Sequence, residues 1–211
     1  SAGAGGSVLC TPSTVDYGSN ATCAIAPDTG FHITDVLVDG ASVGVVGSYA
    51  FASVTAEHTV TASFAINTYT ITATAGAGGA IACTPSIVNH GSDSACTIMP
   101  EIGRHTSDVL ADGVSVGALG AYSFTNVTAD HTLSAIFMIN RHTITVSTPG
   151  TGTGTVASAP AGISCGADCS EVYDFGTSVT LTAIPDADSV FTGWSGACSG
   201  TGSCALIVGS D

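Results

Sequence analysis

The 211-residue chain has no lysine and only two arginines, Arg104 and Arg141, against sixteen acidic residues, for a formal net charge of −14. That balance excludes a nucleic-acid partner, because neutralising phosphates takes clustered Lys and Arg. It would also make an anionic bilayer surface repel the chain. No apolar run approaches the roughly 20 residues of a membrane-spanning helix, so no membrane insertion is expected. The strong helix formers Leu, Glu, Lys and Gln are nearly missing, and no stretch of eleven or more residues has helical periodicity. Charged residues make up 9% and aromatics 6%, with a single tryptophan, yet 45% is apolar, enough to build a core. What is present is Ala and Val scattered among Thr, Ser and Gly, the composition of half-buried strands.

Sliding the sequence against itself shows a repeat. Gly3-Ala4-Gly5-Gly6 returns as Gly76-Ala77-Gly78-Gly79, Cys10-Thr11-Pro12-Ser13 as Cys83-Thr84-Pro85-Ser86, and Asp35-Val36-Leu37 as Asp108-Val109-Leu110, all at a spacing of 73 residues. Roughly half of the aligned positions are identical, beyond what shared composition produces. A third, divergent copy opens at Arg141-His142-Thr143-Ile144-Thr145, and after an insertion it rejoins the pattern at Gly176, with Leu181 where Cys23 and Cys96 stand. The expected units are residues 1–66, 67–139 and 140–211. The first is expected to lack its opening strand and the third its closing strand, as in a segment of something longer or a chain completed by its neighbours.

Residues 70–74, 95–99, 122–125 and 132–137 alternate apolar and polar side chains, which predicts strands with one buried face. Asp39-Gly40 and Asp112-Gly113 lie between apolar stretches and predict tight hairpins over residues 36–43 and 109–116. The connectors Ala65-Ile66-Asn67-Thr68 and Met138-Ile139-Asn140-Arg141 are too short and apolar for a flexible tether, so successive units are expected to join stiffly. The predicted fold is therefore all-β: a rod-like tandem array of three small modules, each of a size at which a core alone is marginal.

Eight cysteines complete that picture. Cys10 with Cys23 and Cys83 with Cys96 pair by the logic of the repeat, since each pair recurs at one separation inside one unit. In the third unit Cys165, Cys169, Cys198 and Cys204 permit three connectivities; the local choice is Cys165 with Cys169 and Cys198 with Cys204. The alternative for these four is a zinc site, with spacings looser than the usual knuckles. Disulfides imply an exported, extracellular or surface protein.

Other features invite chemistry without supplying it. His32 with His105 and His58 with His131 are equivalent by repeat, but no second ligand stands at metal-binding spacing, so no metal or cofactor is expected. Ser195 in Gly193-Trp194-Ser195-Gly196 resembles a nucleophile elbow but lacks the strand–turn–helix context, and the chain is not expected to be an enzyme. The Gly-rich runs open no helix and read as turns rather than phosphate cradles. The acidic residues lack the spacing of a calcium loop. Asn20-Ala21-Thr22 and Asn126-Val127-Thr128 fit the N-glycosylation pattern. Trp194, with Tyr173 nearby, is the candidate ligand contact, because an exposed aromatic face can stack on a sugar.

Taken together, the Tyr-Thr-Ile-Thr opener, Gly-Gly before Cys-Thr-Pro, Val-Asp-Gly or Ala-Asp-Gly, and Val-Thr-Ala-x-His-Thr closing on Ala-x-Phe resemble divergent internalin-B-type B repeats of bacterial secreted and surface proteins. The third copy, with Gly162-Ile163-Ser164-Cys165 and Phe191-Thr192-Gly193-Trp194, is similar to a related bacterial repeat. The resemblance implies non-catalytic β modules, sandwich or β-grasp-like, that serve as stalks, spacers or adhesive segments. It leads to the expectation of a structural rod or filament subunit that associates with itself or with neighbouring repeats by strand complementation after Val208. The alternative is an adhesive or glycan-binding accessory module of a larger secreted protein.

Overall fold

A computed structural model describes residues 1–209; Ser210 and Asp211, the last residues of the expected third unit, lie outside the described residues. The first unit carries β1 (Gly6–Thr11), β2 (Ala21–Pro27), β3 (Phe31–Val38), β4 (Ala41–Gly44), β5 (Ser48–Phe51) and β6 (Val60–Ile66). The second carries β7 (Thr68–Ala75), β8 (Gly79–Thr84), β9 (Ile87–Asn89), β10 (Ser94–Pro100), β11 (Arg104–Ala111), β12 (Val114–Gly117), β13 (Ala121–Phe124) and β14 (His131–Ile139). The third carries β15 (Arg141–Thr145), β16 (Gly154–Ala159), β17 (Ser164–Cys165), β18 (Ser170–Asp174), β19 (Ser178–Pro185) and β20 (Cys204–Ile207). There is no helix among the described residues. Of the two arrangements expected, the sandwich is the one present.

Unit 2 shows the complete plan. One sheet runs β13-β10-β8 and the other β12-β11-β14-β7-β9. Cys96, Ile98 and Phe124 from the first sheet meet Ile71, Val88, Val109, Leu133 and Phe137 from the second in one buried cluster. Along β14 the pattern is strict: Leu133, Ala135 and Phe137 are buried, while Ile136 and Met138 face solvent. The opening strand β7 and the closing strand β14 lie side by side and parallel, Ile71 opposite His131 through Ala75 opposite Ala135. Asp112 and Gly113 both take positive φ between β11 and β12, the geometry that the two-residue hairpin demands.

Unit 1 repeats this plan with sheets β1-β2-β5 and β4-β3-β6. Residues 1–3 form a stub in the place where β7 ends in unit 2. The Ser1 terminus donates to the Val60 carbonyl, Ala2 bridges Ala62 in parallel, and the Gly3 amide donates to the Ala62 carbonyl at 2.9 Å, as that of Gly76 does to Ala135 at 2.9 Å. The stub therefore keeps the register of the unit 2 strand pair.

Unit 3 keeps β15 beside β18, as β7 lies beside β9, and keeps β16, β19 and β20 in the places of β8, β10 and β13. Among the described residues it has no counterpart of the β11–β12 hairpin or of β14. A loop over residues 186–203 stands in for the hairpin, and the core is reassembled around Val156, Ile163, Val179, Leu181 and Val208.

Candidate functional site

All eight cysteines are joined in disulfides: Cys10 with Cys23, Cys83 with Cys96, Cys165 with Cys169 and Cys198 with Cys204. The first two clip directly opposed residues of neighbouring strands, β1 to β2 and β8 to β10. With every thiol of the third unit bonded to sulfur, no thiolate is left for the zinc alternative. Among the described residues no group of three His, Cys, Asp or Glu could hold a metal ion.

The repeated histidines hold loops. His131 Nδ1 lies 2.7 Å from Asp112 Oδ2 and His58 Nδ1 lies 2.6 Å from Asp39 Oδ2. A carboxylate only accepts, so Nδ1 carries the proton in both pairs. The other carboxylate oxygen accepts the backbone N–H of Thr132 or Thr59, and the imidazole stacks on Phe124 or Phe51 with ring centroids 4.7 Å apart. Each aspartate thus ties a hairpin tip to the start of a closing strand. Its pKa is lowered from the ordinary aspartate value of 3.8, first by the threonine N–H and then by the histidine. A lowered pKa in the folded state means that the latch stabilises above 3.8 and that its contribution is lost as pH falls through the folded-state value. Urea midpoints are expected to drop between roughly pH 5 and 2, and Asp39→Asn/Asp112→Asn is expected to flatten that drop. Identical pH profiles for both proteins would remove the latch.

The junctions between units have a repeated construction. The Asn67 amide donates to the Gly30 carbonyl at 2.7 Å, and the His90 amide donates to the Asn67 carbonyl at 2.8 Å. At the next junction Asn140 donates to Gly103 and Phe175 to Asn140, each at 2.8 Å. The His90 ring lies where a Cβ on Gly30 would stand, and the Phe175 ring does the same at Gly103. His32 and His105 complete the set, each with Nδ1 2.8 Å from the side-chain oxygen of its junction asparagine. An aromatic ring of one unit is therefore seated on a bare glycine turn of the unit before it. The corresponding residue of unit 1 is Tyr17, which is 86% exposed. The corresponding turn of unit 3 carries Asp188 in place of glycine.

In unit 3 the slot that β14 fills in unit 2 is a groove of about 860 Å³. One wall contains Ile144, Thr145, Val146, Ser147 and Thr148, which by repeat are the residues that pair with β14 in unit 2. Leu181 and Leu206 lie on its floor side, and Phe191 and Trp194 come from the replacement loop. Trp194 is half-buried; its Nε1 donates to the Gly202 carbonyl at 2.7 Å and its ring meets Phe191 edge-on, centroids 4.9 Å apart. It belongs to the groove wall and the core, so it is no free-standing platform.

Tyr173 corrects the sequence reading. It is 7% exposed, and its hydroxyl lies 2.9 Å from Ser158 Oγ and 3.4 Å from the Pro160 carbonyl. A ring packed in the core with its hydroxyl engaged offers no face to a sugar. Ser195 is exposed in the replacement loop, on no strand. Asn20 and Asn126, of the two glycosylation patterns, sit in equivalent loop pairs: Asn20 Oδ1 accepts the Ser53 N–H at 2.9 Å, and Asp93 Oδ1 accepts the Asn126 N–H at 2.8 Å. The sequence reading missed the junction glycines and their aromatic partners. An aromatic–glycine pair in each unit, Tyr17-Gly18, His90-Gly91 and Phe175-Gly176, was the available signal.

Comparison with known proteins finds one family. A model described as the divergent InlB B-repeat domain matches residues 1–68, 69–141 and 142–207. No curated protein matches. Among solved structures, the central fibronectin-III array of RIM-binding protein aligns over 100% of this chain and 99% of that one, at 11% identity and a TM-score of 0.20. A likeness that low carries no argument.

Proposed function

Because the chain belongs to the divergent InlB B-repeat domain family along nearly its whole length, we propose that it is a structural array, a rod or filament subunit of a bacterial surface or secreted assembly. Its task is to set distance and direction between whatever stands at its two ends, with the units held in fixed succession. The repeated glycine–asparagine–aromatic junction is the observation that carries this reading. One residue separates closing and opening strands, Asn67 in one place and Asn140 in the other, and both of its backbone polar groups are bonded across the junction. Such a connector has no slack, unlike a Gly/Ser tether. Four disulfides fit folding in an oxidising compartment, where small domains take covalent reinforcement. Tyr17 offers a further unit the same aromatic key that His90 and Phe175 seat on glycine turns.

The test is small-angle X-ray scattering of the native chain beside Gly30→Val/Gly103→Val. Both glycines have positive φ, and a side chain at either would displace the seated ring. The native chain is expected to fit one extended conformer. The variant is expected to need an ensemble of bent conformers while each unit keeps its strand content by circular dichroism. Equal flexibility in the two proteins would remove the stiff-array reading.

A further inference from the structure

In every unit one of the two sheets carries no charge. The strands of sheets β1-β2-β5, β13-β10-β8 and β17-β16-β19-β20 contain no Asp, Glu, Lys, Arg or His, although the chain holds sixteen acidic residues and two arginines. The opposite sheet of each unit takes some of these, as with Asp35 on β3, Asp108 on β11 and Glu171 on β18, and others lie in loops. The outward face of the uncharged sheets is not the polar surface that an antiparallel sheet normally turns to water. On unit 2 it consists of Ala80, Ala82, Ala95, Thr97, Met99 and Ser123, all exposed. Each unit sets a large apolar side chain beside a small one: Leu9 pairs with Ala24, Met99 with Ala80 and Ile184 with Thr155. These three large side chains are about half exposed or more. Unit 2 has a neighbour at either end and its face is still bare, so further units joined in the same way would leave it bare too.

We propose that these uncharged faces are a self-association surface, on which the chain packs side by side with a second copy of itself, sheet against sheet. Charge selects that occupant. Two chains that each carry −14 repel through any surface that bears carboxylates, and these faces let them meet without placing like charges together. A basic partner would be drawn to the acidic surfaces instead. The relief fits as well. In an isologous contact one patch serves both copies, so Leu9, Met99 and Ile184 of one copy fill the hollows over alanine and threonine of the other, as side chains interdigitate between packed sheets. Three strands about 4.8 Å apart and about six residues long, at about 3.3 Å per residue, give roughly 280 Å² for each face. One face falls short of the roughly 800 Å² per partner of a stable interface and three together reach it, so the contact calls on more than one unit. This goes beyond the stiff-array reading, which concerns how units succeed one another within a chain.

Ala24, Thr97 and Thr182 are equivalent outward positions on the inner strands β2, β10 and β19, and all are exposed. Sedimentation equilibrium of the native chain, from micromolar to millimolar concentration, is expected to show reversible self-association that tightens as salt screens the residual repulsion between copies. Ala24→Asp/Thr97→Asp/Thr182→Asp is expected to weaken it about tenfold or more, since like charges then face each other. Ser63→Asp/Ile136→Asp/Thr143→Asp adds the same charge at exposed positions of the opposite sheets, and in high salt it is expected to associate as the native chain does. Ala24→Lys/Thr97→Lys/Thr182→Lys is expected not to associate with itself but to pair with the first aspartate variant when the two are mixed. That pairing makes a second copy the occupant and shows that both variants keep the face intact. A native chain that stays monomeric throughout, equal weakening by the two aspartate sets, or no pairing in the mixture overturns the proposal. Scattering from the monomer reads the junctions in either case, so the two readings fail separately.

Discussion

Replacing Cys83 and Cys96 together by alanine is expected to lower the unfolding free energy of unit 2 by about 3 kcal/mol. The two residues lie directly opposite each other on β8 and β10, thirteen apart in the chain. Joining them removes conformations chiefly from the unfolded chain, and a loop of about 15 residues is worth about 3 kcal/mol on that account. Cys96 is also 1% exposed, so its truncation leaves the core short of atoms. A domain of about 70 residues has a total stability of roughly 4 to 10 kcal/mol, which makes the loss a large share of the whole. Urea unfolding followed by hydrogen exchange, unit by unit, is the measurement. Unit 2 is expected to open first, with units 1 and 3 near their native midpoints. A loss under about 1 kcal/mol would mean that strand pairing alone already holds this part of the sheet.

Leu133→Ala is expected to cost about 3 kcal/mol, within the range of 2 to 5 seen for such truncations. Leu133 is wholly buried, at 0% exposure, on the central β14, where Ala73 and Ala111 are its small neighbours on the flanking strands. Because both in-sheet neighbours are alanines, neither flanking strand supplies a side chain large enough to fill the space left behind. In unit 1 the residue at this position is Val60, 7% exposed. Val60→Ala is therefore expected to cost less, about 1 to 2 kcal/mol, as fewer atoms are withdrawn. Equal losses at the two sites, read from the same denaturation experiment, would contradict the view that the amount of buried side chain removed sets the cost.

The strands and hairpins were legible because their signals are local. Alternation placed β7, β10, β13 and β14, and Asp39-Gly40 and Asp112-Gly113 located both hairpins, since a two-residue turn with positive φ admits few residue types. Tyr173 was misread for a reason that also lies in alternation. On β18, Ser170–Asp174, period two sends either Val172 or the pair Glu171 and Tyr173 inward. Tyr173 goes in because its ring fills the core and Ser158 and Pro160 satisfy its hydroxyl, leaving Val172 at 39% exposure. The junctions stayed hidden for a different reason. Gly30 and His90 belong to different units, far apart in sequence, and what joins them is the absence of a Cβ under a ring. The groove was legible only in outline, as a missing strand. That a rebuilt loop would line it with Phe191 and Trp194 depends on packing that no periodicity encodes.

The parallel contact between β7 and β14 has a consequence for how a unit bears tension. The chain enters unit 2 at the start of one strand and leaves at the far end of the other, the two being neighbours over five registered pairs. Drawing the ends apart makes these strands slide past each other in opposite directions, so their hydrogen bonds are loaded in shear and must yield together. An antiparallel hairpin held by its open ends would instead unzip one bond at a time. With a single residue between β6 and β7 and between β14 and β15, a pull on the neighbouring units reaches this clamp directly.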